Sequence, residues 1–186
     1  MSSTGAVIDL TPVVERARGS SGGERALDER LGMVAARVSR TNVIAVVGPQ
    51  GGTGKSRMTF AVGTALAHLA GLNVVAVDID DDYGALKDLV PEAMRARAVW
   101  KGNGDGPVPF PQLRQFLSVT PQRLLVLDGV DSNGILDSVL ASLSNADVVL
   151  LDCAGGIERP RSAWAFANAD QVLVVVRFGV RVLSVV

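Results

Sequence analysis

The chain has few of the residues that build disulfides, zinc sites or aromatic binding surfaces. It contains one cysteine, one histidine and 4% aromatic residues among 186 positions. A single cysteine, Cys153, excludes an internal disulfide and a zinc cluster, and it fits a reducing compartment. With 48% hydrophobic residues, the chain is long enough for one domain whose core consists mainly of valine, leucine, isoleucine and alanine.

Long apolar runs and an excess of one charge are also missing. No apolar run approaches the roughly 18–20 uncharged residues that cross a bilayer, and Asp9, Glu15 and Arg16 interrupt the N-terminus where a secretory signal would be apolar. The formal net charge of −1 gives no support for DNA or a membrane surface as a partner, although a local basic patch would escape this count. The sequence therefore predicts a soluble, cytoplasmic protein without a transmembrane segment.

The chain divides into three parts by composition. Residues 1–23 end in the glycine- and serine-rich stretch RGSSGG and are predicted to form a flexible tail. In residues 24–41, the helical spacing of Leu27, Leu31 and Val34 predicts an amphipathic helix that leads into the domain. Residues 42–186 form the domain itself.

Apolar strands alternate with helical stretches along the domain. The strands are predicted at residues 43–47, 73–78, 123–127, 148–151 and 171–176. The helices are predicted at residues 55–70, 135–143 and 161–167, with one apolar stripe on the first helix formed by Met58, Val62, Leu66 and Leu69. This alternation predicts a doubly wound α/β domain with a mostly parallel sheet.

A glycine-rich turn follows the first strand. Residues 49–56 read PQGGTGKS, and such a turn between a strand and a helix directs backbone N–H groups at a nucleotide's phosphates. Lys55 would reach the outer phosphates and Ser56 would bind Mg²⁺. The simple pattern G-x-x-x-x-G-K-[ST] fails at one position, because Pro49 stands where its first glycine belongs.

The pattern that remains, x-x-G-G-x-G-K-S, resembles the deviant Walker A motif of the ParA/MinD family of P-loop ATPases. The resemblance implies ATP and Mg²⁺ as cofactors and a nucleotide-dependent homodimer. The residues that it implies in nucleotide binding are Gln50, Gly51, Gly52, Thr53, Gly54, Lys55, Ser56 and Arg57. Gln50 replaces the family's signature lysine, which reaches the partner subunit's nucleotide, so we expect slow hydrolysis or none.

Acidic residues end the second predicted strand, in the order Asp78, Asp80, Asp81 and Asp82. Ligands of open parallel sheets bind beyond the carboxyl ends of the strands, on the same rim as the glycine-rich turn. The segment resembles the family's switch I element, with Asp81 in place of proline. That resemblance implies a catalytic role for Asp80 in orienting the attacking water and a metal-supporting role for Asp78. The alternative is a solvated acidic loop.

Two apolar runs end in an aspartate that suits a Walker B role, at Asp128 and at Asp152. Only Asp152 is followed by a glycine pair, which begins with Gly155 and lets backbone N–H groups approach a γ-phosphate. We therefore assign Asp152 to the metal and Gly155 to the nucleotide. The segment resembles the family's switch II, with Ala154 in place of proline.

Taken together, these motifs predict an ATP-dependent molecular switch that controls partitioning, positioning or secretion through a protein partner, with possible peripheral membrane contact through that partner. Residues 76–78, 84–86 and 151–155 look most like MinD-like proteins of actinobacterial type VII secretion. Family members continue for several more elements, which implies that this chain is incomplete at its C-terminus. Two alternatives remain, a nucleotide-binding regulator without hydrolysis and a phosphoryl-transfer or ATP-driven ligase enzyme.

Overall fold

A six-stranded sheet forms the centre of the molecule. The computed structural model describes residues 39–80, 85–98, 100, 106–128, 136–156 and 158–176, and all structural statements below concern these residues. The strands are β1 (Asn42–Gly48), β2 (Val74–Asp78), β3 (Leu117–Val119), β4 (Leu125–Leu127), β5 (Val148–Gly155) and β6 (Gln171–Val174). The α-helices are α1 (Lys55–Leu69), α2 (Phe110–Leu113), α3 (Leu136–Ser142) and α4 (Pro160–Asn168), with short 3₁₀ turns at Lys87–Leu89, Glu92–Met94 and Arg114–Phe116.

The strand order in the sheet is β3-β4-β2-β5-β1-β6. All neighbouring pairs are parallel except β3 and β4, which are antiparallel. Strand β5 lies between β1 and β2, and its Asp152 is in register with Val46 on one side and Asp78 on the other. The doubly wound α/β class predicted from the alternation of strands and helices is confirmed.

Successive residues of the central strands point to opposite faces of the sheet and build two apolar layers. In β2, Val75 and Val77 belong to one buried cluster, and Val74 and Ala76 belong to the other. Helix α1 covers the second layer, whereas α3 and α4 contribute to the first. Because both faces are covered, β2 and most of β5 are fully buried, which explains their nearly continuous runs of apolar residues.

Helix α1 buries a different stripe from the predicted one. Val62 and Leu66 are buried as expected, but Met58 and Leu69 are 36% and 49% exposed. The buried face runs instead through Thr59, Val62, Gly63, Leu66 and Ala67. A methyl group on Gly63 would lie 2.8 Å from Leu124 Cδ1, so the absence of a side chain there lets the helix lie close to the sheet. The prediction placed the stripe by hydrophobicity alone and was wrong for two of its four residues.

Several strand boundaries also differ from the prediction. The predicted strand at 123–127 begins only at Leu125, because residues 120–124 form a tight turn in which Arg123 has a φ of 70°. Strand β5 extends to Gly155 because its pairing with β1 continues to Gly48, beyond Asp152, where its pairing with β2 ends. Strand β3, which pairs antiparallel with β4 at the edge of the sheet, was missed, so the sheet has six described strands instead of five.

Other predictions fall outside the described residues. The N-terminal tail at 1–23 and all but the last three positions of the lead-in segment at 24–41 belong to this group. So do Asp81 and Asp82 of the acidic segment and residues 177–186 at the C-terminal end. Among the helices that are described, none has both the length and the apolar character needed to cross a membrane.

Candidate functional site

The glycine-rich turn leads directly into α1 and leaves the start of that helix without a side-chain cap. Gly54 occupies the N-cap position with φ 94° and ψ 20°, a left-handed conformation that glycine adopts without steric cost. No side chain caps the helix, and its first turn contains no acidic residue. The N–H groups of a first helical turn have no partner within the helix, and together with the helix dipole they favour an anion. The local backbone is therefore suited to a phosphate.

Lys55, the first residue of α1, lies against the turn that precedes it. Its side chain is largely buried, and its Nζ donates a hydrogen bond to the Gln50 carbonyl oxygen at 3.4 Å. The Thr53 hydroxyl donates to the same carbonyl at 3.3 Å. The ammonium is thus held at the mouth of the turn by a weak, long hydrogen bond that a stronger anionic acceptor would replace.

Asp152 lies behind the start of α1 and contacts it through two hydroxyls. The Ser56 side chain lies close enough to the Asp152 carboxylate to lower the pKa of that group. The Thr59 hydroxyl lies 3.2 Å from Asp152 Oδ1 and 3.0 Å from the Lys55 carbonyl oxygen. It has one proton and can donate it to either oxygen. Strand β5 thereby places its aspartate against the serine that the sequence assigns to a metal. Thr59 was missed by the sequence analysis, since a threonine inside a helix carries no signal of its own.

Asp78 sits beside Asp152 on the neighbouring strand, but its oxygens face the protein backbone. Oδ1 accepts a hydrogen bond from the Asp80 N–H at 3.1 Å, and Oδ2 accepts one from the Leu86 N–H at 3.2 Å. The side chain is 1% exposed. Asp78 therefore holds the backbone at Asp80 and at Leu86.

The two buried carboxylates hold protons more tightly than an exposed aspartate does. Burial raises the pKa of Asp78 to about 7, and the neighbouring charge of Asp152 adds to this rise. Burial also raises the pKa of Asp152 to about 6, although the hydrogen bonds from Ser56 and Thr59 and the charge of Lys55 lower it. A cation bound at this place would offset the repulsion and favour the ionised forms.

Gly155, at the end of β5, packs directly on the glycine-rich turn. A methyl group at this position would lie 2.6 Å from the Gly51 nitrogen and 2.9 Å from the Gln50 carbonyl carbon. Gly155 is also in register with Gly48, where β1 ends and the turn begins. The segment after Asp152 and the glycine-rich turn are therefore in backbone contact, and neither can move without the other.

An open cleft of about 650 Å³ lies over this arrangement. Of the residues predicted for the site, it is lined by Gly51, Gly52, Gly54, Lys55, Ser56, Arg57, Asp80 and Gly155. The predicted residues that do not line it are Gln50, Thr53, Asp78 and Asp152, of which Asp78 and Asp152 are buried in the strands beneath. Ala85 and Arg159 complete the wall and were not predicted. Arg159 precedes α4, and only the fold brings it opposite the turn.

The rejected Walker B candidate, Asp128, does not line the cleft, although its charge reaches Asp78 and adds to the rise in the pKa of that carboxyl. Asp128 follows β4, which is separated from β1 by β2 and β5, and it forms an ion pair with Lys87 at 3.8 Å. Cys153 lies next to Asp152 but is buried, and burial together with the charge of Asp152 raises the pKa of its thiol to about 12. The thiol is therefore protonated and packs in the core, as its position in the sequence suggested.

A metal ion at this site would need oxygen ligands from outside the protein. Among the described residues, no group of three or more His, Cys, Asp or Glu side chains is arranged to hold a metal. The donors present are the Ser56 hydroxyl and the Asp152 carboxylate, both oxygens. Mg²⁺ is commonly bound by one or two protein oxygens together with substrate phosphates and water. The donor set therefore fits Mg²⁺ that arrives with a nucleotide.

A curated relative is the ESX-1 secretion-associated protein EspI of Mycobacterium tuberculosis, 29% identical over 145 residues, which is 71% of this chain and 21% of that protein. The chain thus spans about a fifth of the length of this relative.

Two solved structures share the fold. A ParA family ATPase from Chlorobium tepidum TLS superposes with a TM-score of 0.56 at 17% identity, covering 72% of this chain and 59% of that one. Cobyrinic acid a,c-diamide synthase from Mycobacterium smegmatis, with bound ADP and magnesium, superposes with a TM-score of 0.54 at 22% identity, covering 77% of this chain and 65% of that one.

The sequence profile of the CobQ/CobB/MinD/ParA nucleotide-binding domain matches residues 44–182. The chain therefore belongs to the CobQ/CobB/MinD/ParA family of nucleotide-binding domains.

Proposed function

We propose that this protein is an ATP- and Mg²⁺-binding molecular switch that dimerises when it binds ATP and hydrolyses ATP slowly. One observation supports this proposal: the uncapped start of α1, Lys55 and Ser56 line the same cleft as Asp80 and Gly155. Its volume of about 650 Å³ lies within the usual range for small-molecule and cofactor sites.

The phosphate side of the site is formed by the turn and the first residues of α1. In the proposed complex, backbone N–H groups of Gly52 and Gly54 and the helix N-terminus hold the phosphates, and Lys55 exchanges the Gln50 carbonyl for a phosphate oxygen. This exchange is favourable because a charge-assisted hydrogen bond replaces a long bond to a neutral acceptor. Arg57 and Arg159 add positive charge at the cleft wall.

The metal side of the site is formed by Ser56 and Asp152, with Asp78 as support. When bound, Mg²⁺ would neutralise negative charge on the β- and γ-phosphates. Ser56 and Asp152 would hold it directly or through water, and Asp78 holds the backbone at Asp80 and Leu86 through two hydrogen bonds. Asp80 would orient the attacking water for in-line attack on the γ-phosphate.

The switch itself would use the contact between Gly155 and the glycine-rich turn. Because the two backbones touch, a phosphate that changes the turn must also move the segment after Asp152. Similarity to a secretion-associated protein suggests that a protein partner reads this change, and it favours secretion over DNA partitioning as the process controlled. We expect the protein to act in the cytoplasm and to reach a membrane only through that partner.

The proposal is tested by nucleotide binding in the variant Lys55→Ala. Truncating one partner of a buried charge interaction weakens the free energy of binding by about 2–5 kcal/mol. The affinity of Lys55→Ala for Mg²⁺·ATP should therefore fall by at least about thirtyfold. Isothermal titration calorimetry measures this change, and circular dichroism verifies the fold. Lys87→Ala is the matched control, since Lys87 is an exposed lysine outside the cleft. Equal affinity of Lys55→Ala and the wild type would overturn the proposal.

Phosphate release separates the proposed switch from the two alternatives. Slow Mg²⁺-dependent release that disappears in Lys55→Ala supports the hydrolysing switch. Tight binding without any release supports a nucleotide-binding regulator that never cycles. ATP consumption only after addition of a small-molecule acceptor supports a phosphoryl-transfer or ATP-driven ligase enzyme.

A further inference from the structure

A second cleft, of about 460 Å³, lies at the other end of the sheet. We call it the distal cleft. Its floor is apolar and includes Val75, Phe110 and Leu125, and its polar residues include Asn73, Arg114 and Arg123. The established family and the proposed switch leave this cleft without a role.

The distal cleft is separate from the nucleotide site. Asn73 directly precedes β2 and Arg123 lies two residues before β4, so both lie where parallel strands begin. The glycine-rich turn, Asp80 and Gly155 lie where parallel strands end. A five-residue strand such as β2 places these two rims roughly 17 Å apart. A ligand in the distal cleft therefore does not compete with a nucleotide.

Both arginines of the distal cleft present free guanidinium groups. Within the part of the chain that the structure describes, the side chains of Arg114 and Arg123 form no hydrogen bond and no ion pair, whereas Arg40 and Arg95 pair with aspartates. Both residues are exposed, so water solvates them in the free protein. Two unpaired arginines beside an apolar floor favour a ligand that carries negative charge next to an apolar group.

The backbone at Arg123 supplies an independent observation. Its φ of 70° is the only positive value at a non-glycine residue among the described positions. The Arg123 N–H donates to the Thr120 carbonyl oxygen at 2.9 Å, and the Leu124 N–H donates to the Thr120 hydroxyl at 3.0 Å, which holds this tight turn. Glycine would adopt the conformation without strain. An arginine in a strained position at the edge of a cleft points to a function of its side chain.

We propose that the distal cleft binds an acidic segment of a partner protein, in which carboxylates flank a large apolar side chain. An apolar floor with exposed polar residues around it is the arrangement of a protein interface, whereas small-molecule sites bury their polar groups. A nucleic acid would need an extended basic surface, whereas the basic residues that line this cleft are two arginines. The carboxylates pair with Arg114 and Arg123, and the apolar side chain packs on Phe110 and Leu125.

The proposal is tested by selecting peptides that bind the full chain from a displayed library of random 12-residue sequences. Peptides that combine aspartate or glutamate with leucine, phenylalanine or tryptophan should be enriched. A synthetic copy of the most enriched peptide should bind the double variant Arg114→Glu/Arg123→Glu at least tenfold more weakly than the wild type. Arg97→Glu is the matched control, because it changes the charge of an exposed arginine outside the cleft and should leave binding unchanged.

A second variant separates loss of binding from loss of folding. Arg123→Gly removes the guanidinium and relieves the positive φ, so it should keep or raise the melting temperature while it weakens the peptide at least threefold. Three outcomes overturn the proposal: no enrichment of acidic peptides, equal binding by the double variant, or a change in the sedimentation coefficient of the protein alone on charge reversal. The last would assign the cleft to contact between copies of this chain.

Discussion

At the scale of single residues, position 50 decides how far the family's mechanism applies. Gln50 is exposed, and it takes part in the hydrogen bonds of the turn through its main-chain carbonyl oxygen, not through its side chain. Gln50→Lys should therefore leave the fold intact and add a charge that can reach a partner's nucleotide. We expect more ATP-dependent dimer by sedimentation velocity, or faster phosphate release. Identical behaviour of variant and wild type would show that position 50 does not face a second nucleotide.

Gly155 and Gly51 differ in the space around them, so alanine substitutions at these two positions can be compared directly. A methyl group at Gly155 would contact the Gly51 nitrogen at 2.6 Å, whereas one at Gly51 would meet nothing within 4 Å. Overpacking of this kind costs about 1–3 kcal/mol. Gly155→Ala should therefore lower the melting temperature of the nucleotide-free protein by several degrees, and Gly51→Ala should leave it nearly unchanged. An equal effect of both substitutions would contradict the close backbone contact.

Sequence reasoning named eight of the ten residues that line the cleft, because their types and spacing carry a local pattern. The glycine-lysine-serine spacing identified Lys55 and Ser56, and the glycine pair after Asp152 distinguished it from Asp128. Thr59, Ala85 and Arg159 were missed, since none belongs to a local pattern and each reaches the site through the packing of a helix or loop.

At the scale of elements, helix α3 is tied to the segment before α2 by one serine. Ser142 is 4% exposed, and its hydroxyl donates to the Ser138 carbonyl at 2.6 Å and accepts from the Val108 N–H at 2.8 Å. Ser142→Ala would leave that N–H unpaired, which costs about 1–3 kcal/mol. Urea denaturation should show this loss, while the exposed Ser144→Ala should change stability by less than about 0.5 kcal/mol. Equal stability of the two variants would contradict it.

Periodicity predicted the long, central elements better than the short ones. Strands β1, β2 and β5 are buried on both faces, so their apolar runs stand out from the sequence around them. Strand β3 has three residues at the edge of the sheet and depends on pairing with β4, a contact that no local pattern encodes. The exposed Met58 and Leu69 show that a hydrophobic residue in a helix is not always buried, because hydrophobic residues also occur on solvent-facing surfaces.

At the scale of the whole molecule, the paired aspartates predict that stability depends on pH. The folded-state pKa values of Asp78 and Asp152, about 7 and about 6, lie above the ordinary aspartate value of 3.8. At pH values between the unfolded and the folded pKa, these two carboxyl groups hold more protons in the folded protein than in the unfolded chain. Their contribution to the free energy of unfolding therefore decreases as pH rises from about 4 to about 7. The melting temperature of the nucleotide-free protein should fall over this interval.

The variant Asp152→Asn is the control for this pH dependence, because an amide keeps an acceptor for Thr59 but does not titrate. It should flatten the decline in melting temperature, whereas an unchanged slope would contradict the assignment. Affinity for Mg²⁺·ATP should change in the opposite direction and rise from pH 5 to pH 8, because a metal requires the ionised carboxylate. Differential scanning fluorimetry and calorimetric titration measure the two effects.

The sequence by itself determined the α/β class, the glycine-rich turn and the aspartates at strand ends, because these depend on periodicity and on residue types at fixed spacing. The order of the strands was decided by the tertiary structure. Placing β5 between β1 and β2 brings Asp152 against Ser56 and leaves Asp128 at the end of β4, with β2 and β5 between it and β1, although both aspartates end similar apolar runs. Strand order depends on contacts between residues far apart in the chain, and no local spacing records them.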